Sequence, residues 1–382
     1  MNQKELSEIR RRIKPERNNI PRIYGCYVNG AKEIISRVDE SIGLLSKEEA
    51  EKYFSLLKKA LSGSLGKNLI DICFETKAVM EGEEHKLLSA LRNCSLDDEE
   101  LREKFYEKVI ETLDMDESNY LILMCCDTYD VPARAKDGEK YDSGNVFKYI
   151  LCAVCPVKSG KAQLGYSADE ERFRSEAMNQ IVSAPELGFM FPCFDDRCAN
   201  IYNALYYSRN TRDIHREFID SVFNTEIPMS AGIQQETFGA CLSESMDMKC
   251  PFDTVQSVNE QLSERVELHK ESRDPEPLVI SPQEMDGILE NSGMKPEQIE
   301  KFNESLEAEF GRDAALSPAN LTDSRKLQIC TPQVKISLDP KFSYLVESKV
   351  IDGKRCIVIN ADAGVEINGL SADIAPDGEK EN

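Results

Sequence analysis

Two runs of mostly apolar residues constrain the fold of this chain more than any other feature of its sequence. The first, 120–126, reads Tyr-Leu-Ile-Leu-Met-Cys-Cys, and the second occupies 147–157. Short apolar runs without a polar residue at every second position are typical of strands that are buried on both faces. They are much shorter than the roughly 20 residues that a membrane-spanning helix needs. The sequence therefore predicts a sheet that is covered by helices.

Strand and helix patterns are distributed unevenly along the 382 residues, a length that suffices for two or three domains. They alternate up to about residue 230, become helical after it, and turn to strand patterns near the end. We therefore expect a mixed α/β (α+β) fold with a helix-covered sheet core. The predicted parts are an α/β core domain (1–230), a helical region (231–310), a small β-rich region (324–370) and a frayed tail (371–382).

Two short motifs predict local structure. Asn29-Gly30 stands between two β-rich runs, and this pair favours a tight hairpin whose two turn residues both take positive φ. Ser46-Lys47-Glu48-Glu49 is a capping box, in which the serine and the glutamate satisfy each other's backbone N–H groups. It predicts that a helix starts at Ser46.

The charge balance restricts the partners of the protein. The chain carries 69 acidic and 47 basic side chains, a formal net charge of −22, and a field of that sign repels nucleic acid and anionic membranes. We therefore expect neither as a partner. Segment 1–22 is the exception, because it is basic. It either meets an external anion or lies on the protein's own acidic surface.

Thirteen cysteines are scattered along the chain, and its first residues lack the apolar region of a secretory leader. Reduced thiols in the cytoplasm fit this usage best. Cys152 and Cys155 have a spacing that resembles zinc ligation, but positions i and i+3 of a strand face opposite sides. We therefore predict that these thiols pack in the core rather than bind a metal.

A polar cluster follows the apolar and aromatic stretch 187–191. The candidate residues are Asp195, Asp196 and Arg197, and we expect them near the start of a helix over 196–209 that carries Asn200 and Asn203. Carboxylates beside amides are suitable ligands for a divalent cation.

A second acidic cluster, Asp127 and Asp130, comes directly after the first apolar run. Ligands of open α/β sheets bind at the carboxyl ends of strands. If Asp127 lies close to Asp195 and Asp196, the three carboxylates form a Mg²⁺ or Mn²⁺ site that assists the hydrolysis of a phosphate or ester.

The alternative interpretation assigns the same residues to ordinary structure. Asp195 or Asp196 then caps the helix, Arg197 forms an ion pair with Glu186 or with an aspartate, and Asp127 stabilises a turn. In that interpretation no metal and no cofactor is bound.

These clusters, together with segments 18–29, 61–72, 183–207 and 269–281, resemble an uncharacterised bacterial family, the domain of unknown function 4317. The similarity extends over nearly the whole chain, from Arg10-Arg11-Arg12 to about Leu370. The resemblance implies a stand-alone bacterial protein of this length. It implies no activity, cofactor, partner or site residue.

The sequence is compatible with two functions. The first is a non-catalytic binding or regulatory protein that binds a protein partner or a second copy of itself, because no motif specific to a reaction is present. The second is a metal-assisted hydrolase that uses Asp127 and Asp130 with Asp195 and Asp196. The sequence leaves open whether the protein is an enzyme.

Overall fold

The computed structural model describes residues 1–134, 140–159, 164–167, 171–175, 180–312 and 316–373. The chain divides into two compact units. Unit 1 contains Met1–Gln234 and Asp274–Pro277, and unit 2 contains Gln235–Arg273 and Leu278–Asn382. The division at 1–230, 231–310 and 324–370 stays a prediction. Of the predicted frayed tail, residues 374–382 lie outside the described residues.

The strands of unit 1 are β1 (Arg22–Val28), β2 (Ile34–Ser41), β3 (Leu69–Cys73), β4 (Asn119–Arg134), β5 (Lys140–Ser159), β6 (Leu164–Ser167), β7 (Arg172–Ser175), β8 (Gln180–Val182), β9 (Leu187–Phe191), β10 (Cys193–Asp195), β11 (Cys198–Asn200) and β12 (Asn203–Ser208). The main sheet has the order β2-β1-β4-β5-β9-β12-β3, and β8 pairs with the end of β5. Every pair in it is antiparallel. Because neighbouring strands run in opposite directions, their carboxyl ends do not meet at one edge of this sheet.

Helices cover both faces of the main sheet. They are α1 (Gln3–Arg12), α2 (Lys47–Lys59), α3 (Thr76–Glu81), α4 (Glu83–Asn93), α5 (Glu99–Thr112) and α6 (Arg216–Phe223). Leu6 of α1 and Phe54 of α2 belong to the apolar core on one face. Phe105 of α5 and Val222 of α6 belong to the core on the other face. The expected mixed α/β fold with a helix-covered sheet is thereby confirmed.

The two apolar runs form the centre of the sheet. Side chains alternate between the faces of a strand, so Ile122 lies in the α5–α6 core and Leu123 in the α1–α2 core. The same alternation sends Cys152 and Cys155 to opposite faces. The prediction that their sulfurs do not converge is confirmed.

The turn after β1 differs from the prediction. β1 and β2 do form an antiparallel hairpin. The prediction of a tight turn at Asn29-Gly30 was wrong, because neither residue has a positive φ. Lys32 has a positive φ instead, at 63°. Gly30 is required for space instead. A Cβ atom at this position would lie 1.9 Å from the carbonyl oxygen of Glu117.

The predicted helix over 196–209 was also wrong. β10 and β11 form a hairpin with a two-residue turn, Asp196-Arg197, in which both residues have positive φ. β12 follows and lies between β9 and β3. Its residues 204–207 are all buried, because both faces of this strand are covered, and such a run does not distinguish a strand from a helix.

Unit 2 combines helices with short hairpins. Helix α7 (Ala231–Ser245) leads into it, and the elements that follow are α8 (Phe252–Ser272), α9 (Pro282–Asn291), α10 (Pro296–Phe310), α11 (Pro318–Leu321), and the strands β13 (Leu327–Cys330), β14 (Lys335–Leu338), β15 (Val346–Ile351), β16 (Lys354–Ile359), β17 (Val365–Ile367) and β18 (Leu370–Ala372). The helices share an apolar core that includes Leu262, Ile288 and Phe302. The strands pair as three separate two-stranded hairpins. Among the described residues, no helix is both long and apolar enough to cross a membrane.

Candidate functional site

Polar side chains of helix α1 meet polar side chains of the main sheet in one connected group. Helix α1 begins at a capping box, in which Asn2 Oδ1 accepts from the N–H of Glu5 and Glu5 Oε2 accepts from the N–H of Asn2 at 2.8 Å. Leu6 and Ile9 anchor the helix in the core. We call the polar group beside them the α1 network; it consists of Glu5, Glu8, Arg12, Asp127, Tyr129, Tyr149 and Arg197.

Asp127 is the buried centre of this network. The sequence predicted that it follows a strand, but β4 continues to Arg134 and Asp127 lies within it, fully buried on the face that α1 covers. Arg12 Nη2 donates to Asp127 Oδ2 at 3.1 Å. The hydroxyl of Tyr149, its cross-strand neighbour on β5, donates to the same oxygen at 3.0 Å. These donors compensate for the lost hydration of the carboxylate.

Two backbone groups complete the shell of Asp127. The N–H groups of Asn19 and Thr128 donate to Oδ1 at 2.8 and 2.9 Å.

Burial and, after it, the charge of Asp127 raise the pKa of Tyr149 well above its ordinary value. The phenol therefore remains a hydrogen-bond donor at neutral pH.

Arg197 connects the turn between β10 and β11 to helix α1. Its Nη1 lies 2.6 Å from Glu8 Oε2, its backbone N–H donates to Glu5 Oε1 at 3.2 Å, and its Nη2 donates to the carbonyl of Pro132 at 2.9 Å. The expected ion pair with Glu186 was wrong, because Glu186 lies 3.7 Å from Arg209 instead. The alternative of a pair with an aspartate was wrong as well, since the partner is a glutamate of α1.

Tyr129 links the two ion pairs of the network. Its hydroxyl donates to Glu8, and the guanidinium of Arg12 lies 4.1 Å from its ring centroid. Burial, followed by the hydrogen bond to Glu8, raises the pKa of Tyr129 to about 12. The ring thus offers an apolar face to one cation and a hydroxyl to one carboxylate.

Asp195 lies beside the network rather than within it. Its Oδ1 is 3.3 Å from the amino group of Met1, and the amide of Asn200 donates to Oδ2 at 3.1 Å. Burial alone would raise the pKa of Asp195, but Asn200 and the amino group of Met1 lower it. The same amide of Asn200 also donates to Asn203 Oδ1 at 3.1 Å. Asp195 therefore does not cap a helix.

The other predicted residues remain outside the network. Asp130 is exposed on β4. Asp196 is exposed in the hairpin turn with φ 47°, so it does not cap a helix either.

One carboxylate of each predicted cluster, Asp127 and Asp195, is used for contacts within the protein. Among the described residues, no group of three or more His, Cys, Asp or Glu side chains is arranged to hold a metal ion. The Mg²⁺ or Mn²⁺ site of Asp127, Asp195 and Asp196 stays a prediction. Thermal denaturation with and without either cation is the direct measurement, because a bound ion stabilises the folded state.

Three of the arginines in the basic segment contact the protein itself, and one of them, Arg22, donates to Asp39 Oδ1 at 2.8 Å. Arg12 binds Asp127, and Arg10 donates to the carbonyls of Leu61 and Gly63, the latter at 2.9 Å. Arg11, in contrast, is exposed. The α1 network is therefore a set of ion pairs and hydrogen bonds that fixes α1 to the sheet.

Only part of this network is predictable from the sequence. Glu5, Glu8 and Arg12 were not singled out, although their spacing of three and four places them on one helical face beside Leu6 and Ile9. Their partners are more than a hundred positions away along the chain. Local spacing does not contain that information.

A family model described as Domain of unknown function (DUF4317) matches residues 1–370, a range that contains the whole α1 network. No curated protein and no solved structure matches.

Proposed function

The chain belongs to the DUF4317 family, as its sequence predicted, and we propose that it is a non-catalytic binding protein that associates with a second copy of itself through the hairpins of unit 2. One observation carries the proposal. Two of the three hairpins leave large apolar side chains exposed, and the remaining one, β13–β14, has an apolar face that is only half-buried.

The register of the strands gives two of these hairpins an apolar face. Cross-strand partners share a face of a sheet. Leu327 pairs with Leu338 and Ile329 with Ile336 in the β13–β14 hairpin, and none of these four is buried. In the β17–β18 hairpin Ile367 pairs with Leu370, whose exposed fraction is 75%.

The third hairpin, β15–β16, exposes apolar residues near both of its ends. Val350 is 72% exposed, and Ile359 is exposed on the same face. A single two-stranded hairpin is only marginally stable in water. Unpaired strand edges and exposed apolar side chains are typical of surfaces that bind another strand or a partner protein.

Charge favours a second copy as the partner. Segment 324–373 holds seven Lys or Arg and six Asp or Glu, a net charge of +1 in a chain of net charge −22. Two copies that associate through this segment bring nearly neutral surfaces together. Association through the rest of the chain would bring two acidic surfaces together, which repel each other. Antiparallel pairing of identical strands is also compatible with the two-fold symmetry of most homodimers.

The α1 network supports the non-catalytic part of the proposal. Asp127 and Arg197, which the sequence singled out for chemistry, are bound to Arg12 and Glu8. Both carboxylate oxygens of Asp127 already accept hydrogen bonds from groups of the protein.

We also infer a reducing compartment, the cytoplasm, and neither nucleic acid nor membrane as a partner. All thirteen cysteines lie in the described residues and all are free. Free thiols are typical of reducing compartments. The charge of −22 opposes binding to polyanions.

Sedimentation velocity of the full chain over a range of concentrations tests the proposal. We expect a concentration-dependent species of twice the 43.1 kDa monomer mass. The exposed substitutions Val350→Lys and Leu370→Lys should each shift the equilibrium toward monomer, because each places a charge in an apolar contact.

The matched control is Ile35→Lys, which adds the same charge at a residue of unit 1 that is 53% exposed. It should leave the equilibrium unchanged. A wild-type chain that stays monomeric at every concentration contradicts self-association, and equal effects of all three substitutions contradict the assignment to the hairpins.

A further inference from the structure

Unit 1 contains a cavity of about 290 Å³ where helices α3 and α4 and the end of α6 meet. We call it the His85 cavity. The wall residues that matter here are Glu75, Lys77, Glu81, Glu84, His85 and Phe223. Its volume is near the lower end of the ~300–1,000 Å³ found for ligand pockets, so it suits a small molecule.

His85 is a buried polar side chain in this wall. Only 5% of the residue is exposed. The rings of Phe74 and Phe191 meet the imidazole edge to face at centroid distances of 5.0 and 5.3 Å. The orientation of the imidazole is therefore fixed by packing.

A hydrogen bond fixes the proton position on this ring. Nε2 lies 2.9 Å from the carbonyl oxygen of Ile201, and a carbonyl only accepts, so in the neutral ring Nε2 carries the proton. Nδ1 is then an acceptor. It makes no hydrogen bond with any described residue, and such an atom gains free energy when a donor reaches it.

The carboxylates of the cavity wall differ in whether they already have a hydrogen-bond or ion-pair partner. Glu84 accepts from Lys108 at 3.0 Å and from Asn224 at 3.3 Å. Glu75 and Glu81 are exposed and form no ion pair within the part of the chain that the structure describes. Lys77 is the one basic side chain in the described wall. The two glutamates that have no ion-pair partner among the described residues carry more charge than the one lysine, so this part of the wall is negatively charged.

We propose that the His85 cavity binds a small organic cation of the alkylammonium or guanidinium class. Nδ1 of His85 accepts one N–H of the ligand, Glu75 and Glu81 compensate its charge, and the ring of Phe223 contacts its alkyl part. A bare metal ion fits less well, because the described residues contain no group of three His, Cys, Asp or Glu ligands suited to one.

Isothermal titration calorimetry of the full chain with agmatine tests this site, since agmatine carries both an ammonium and a guanidinium group. We expect saturable binding of one agmatine per chain, and no binding of 1,4-butanediol or butyrate, which lack the cation. The double substitution Glu75→Gln with Glu81→Gln should weaken agmatine binding at least about tenfold, equivalent to about 1.4 kcal/mol.

Glu83→Gln is the matched control. Glu83 is in the first turn of α4, 84% exposed in its side chain and paired with Lys86, and it is not in the wall. Its substitution should leave the dissociation constant unchanged. Absence of agmatine binding, binding of butyrate instead, or equal weakening by the control and the double substitution would each overturn the proposal. The His85 cavity is in unit 1 and the hairpins are in unit 2, so either experiment can fail without the other.

Discussion

Asp127 and Arg12 form an ion pair from which water is largely excluded. The Asp127 side chain has no exposed surface and that of Arg12 is mostly buried. Placing a charge in such surroundings costs several kcal/mol unless its partners remain in place. The network therefore depends on every member, and removing one side of the pair leaves the other side uncompensated.

The substitution Asp127→Asn tests this dependence. It preserves the shape of the side chain but removes its charge, so Arg12 loses its counterion. We expect the free energy of unfolding to fall by about 3–5 kcal/mol, measured by urea denaturation. Asp130→Asn is the control on the same strand. Because Asp130 is exposed, its effect should stay within about 0.5 kcal/mol, and equal losses in the two variants would contradict the role of the buried pair.

The sequence points to two residues of the network but not to the residues that they bind. Asp127 and Arg197 stood out because polar residues next to apolar runs are conspicuous. Their partners, Arg12 and Glu8, come from a helix that is 115 and 189 positions away. Only the tertiary structure brings these pairs together.

At the scale of elements, a strand that is buried on both faces has a sequence pattern similar to that of a buried helix. β12 is apolar at successive positions because cores lie on both of its faces, and the same composition is compatible with a buried helix. The capping box at Ser46, in contrast, was correct, and α2 begins at Lys47 with Ser46 as its cap. A cap is a local hydrogen-bond pattern, so local sequence suffices to predict it.

The loop between β1 and β2 provides a prediction at this scale. Gly30→Ala would place a Cβ atom 1.9 Å from the Glu117 carbonyl oxygen, so backbone must move. We expect a loss of about 1–3 kcal/mol in the free energy of unfolding, measured by chemical denaturation. Gly43→Ala is the matched control, because nothing lies within 4 Å of its Cβ position. Similar losses in both variants would show that the close approach at Gly30 is unimportant.

At the scale of the whole molecule, charge was readable from composition but strand order was not. The sequence predicted a covered sheet because its central strands are apolar. The position of β3 at the edge beside β12 depends on a pairing between segments more than a hundred residues apart. No pattern within either segment specifies that neighbour.

The net charge leads to a prediction about self-association. Two copies of net charge −22 repel each other, and salt screens this repulsion over a Debye length of about 10 Å at 0.1 M. Raising the NaCl concentration should therefore strengthen the proposed self-association in sedimentation equilibrium. The neutral osmolyte glycerol at matched osmolality is the control. Weakening by salt would mean that ion pairs across the interface dominate, which contradicts an apolar contact between hairpins.

The docking of α1 has a consequence for synthesis of the chain on the ribosome. Glu8 needs Arg197, which is translated 189 positions later. At about 5–20 residues per second, this interval lasts about 10–40 s. During that time the core that Leu6 and Ile9 join is incomplete, because later members of it such as Leu205 are still missing, so α1 reaches its final contacts only late in synthesis.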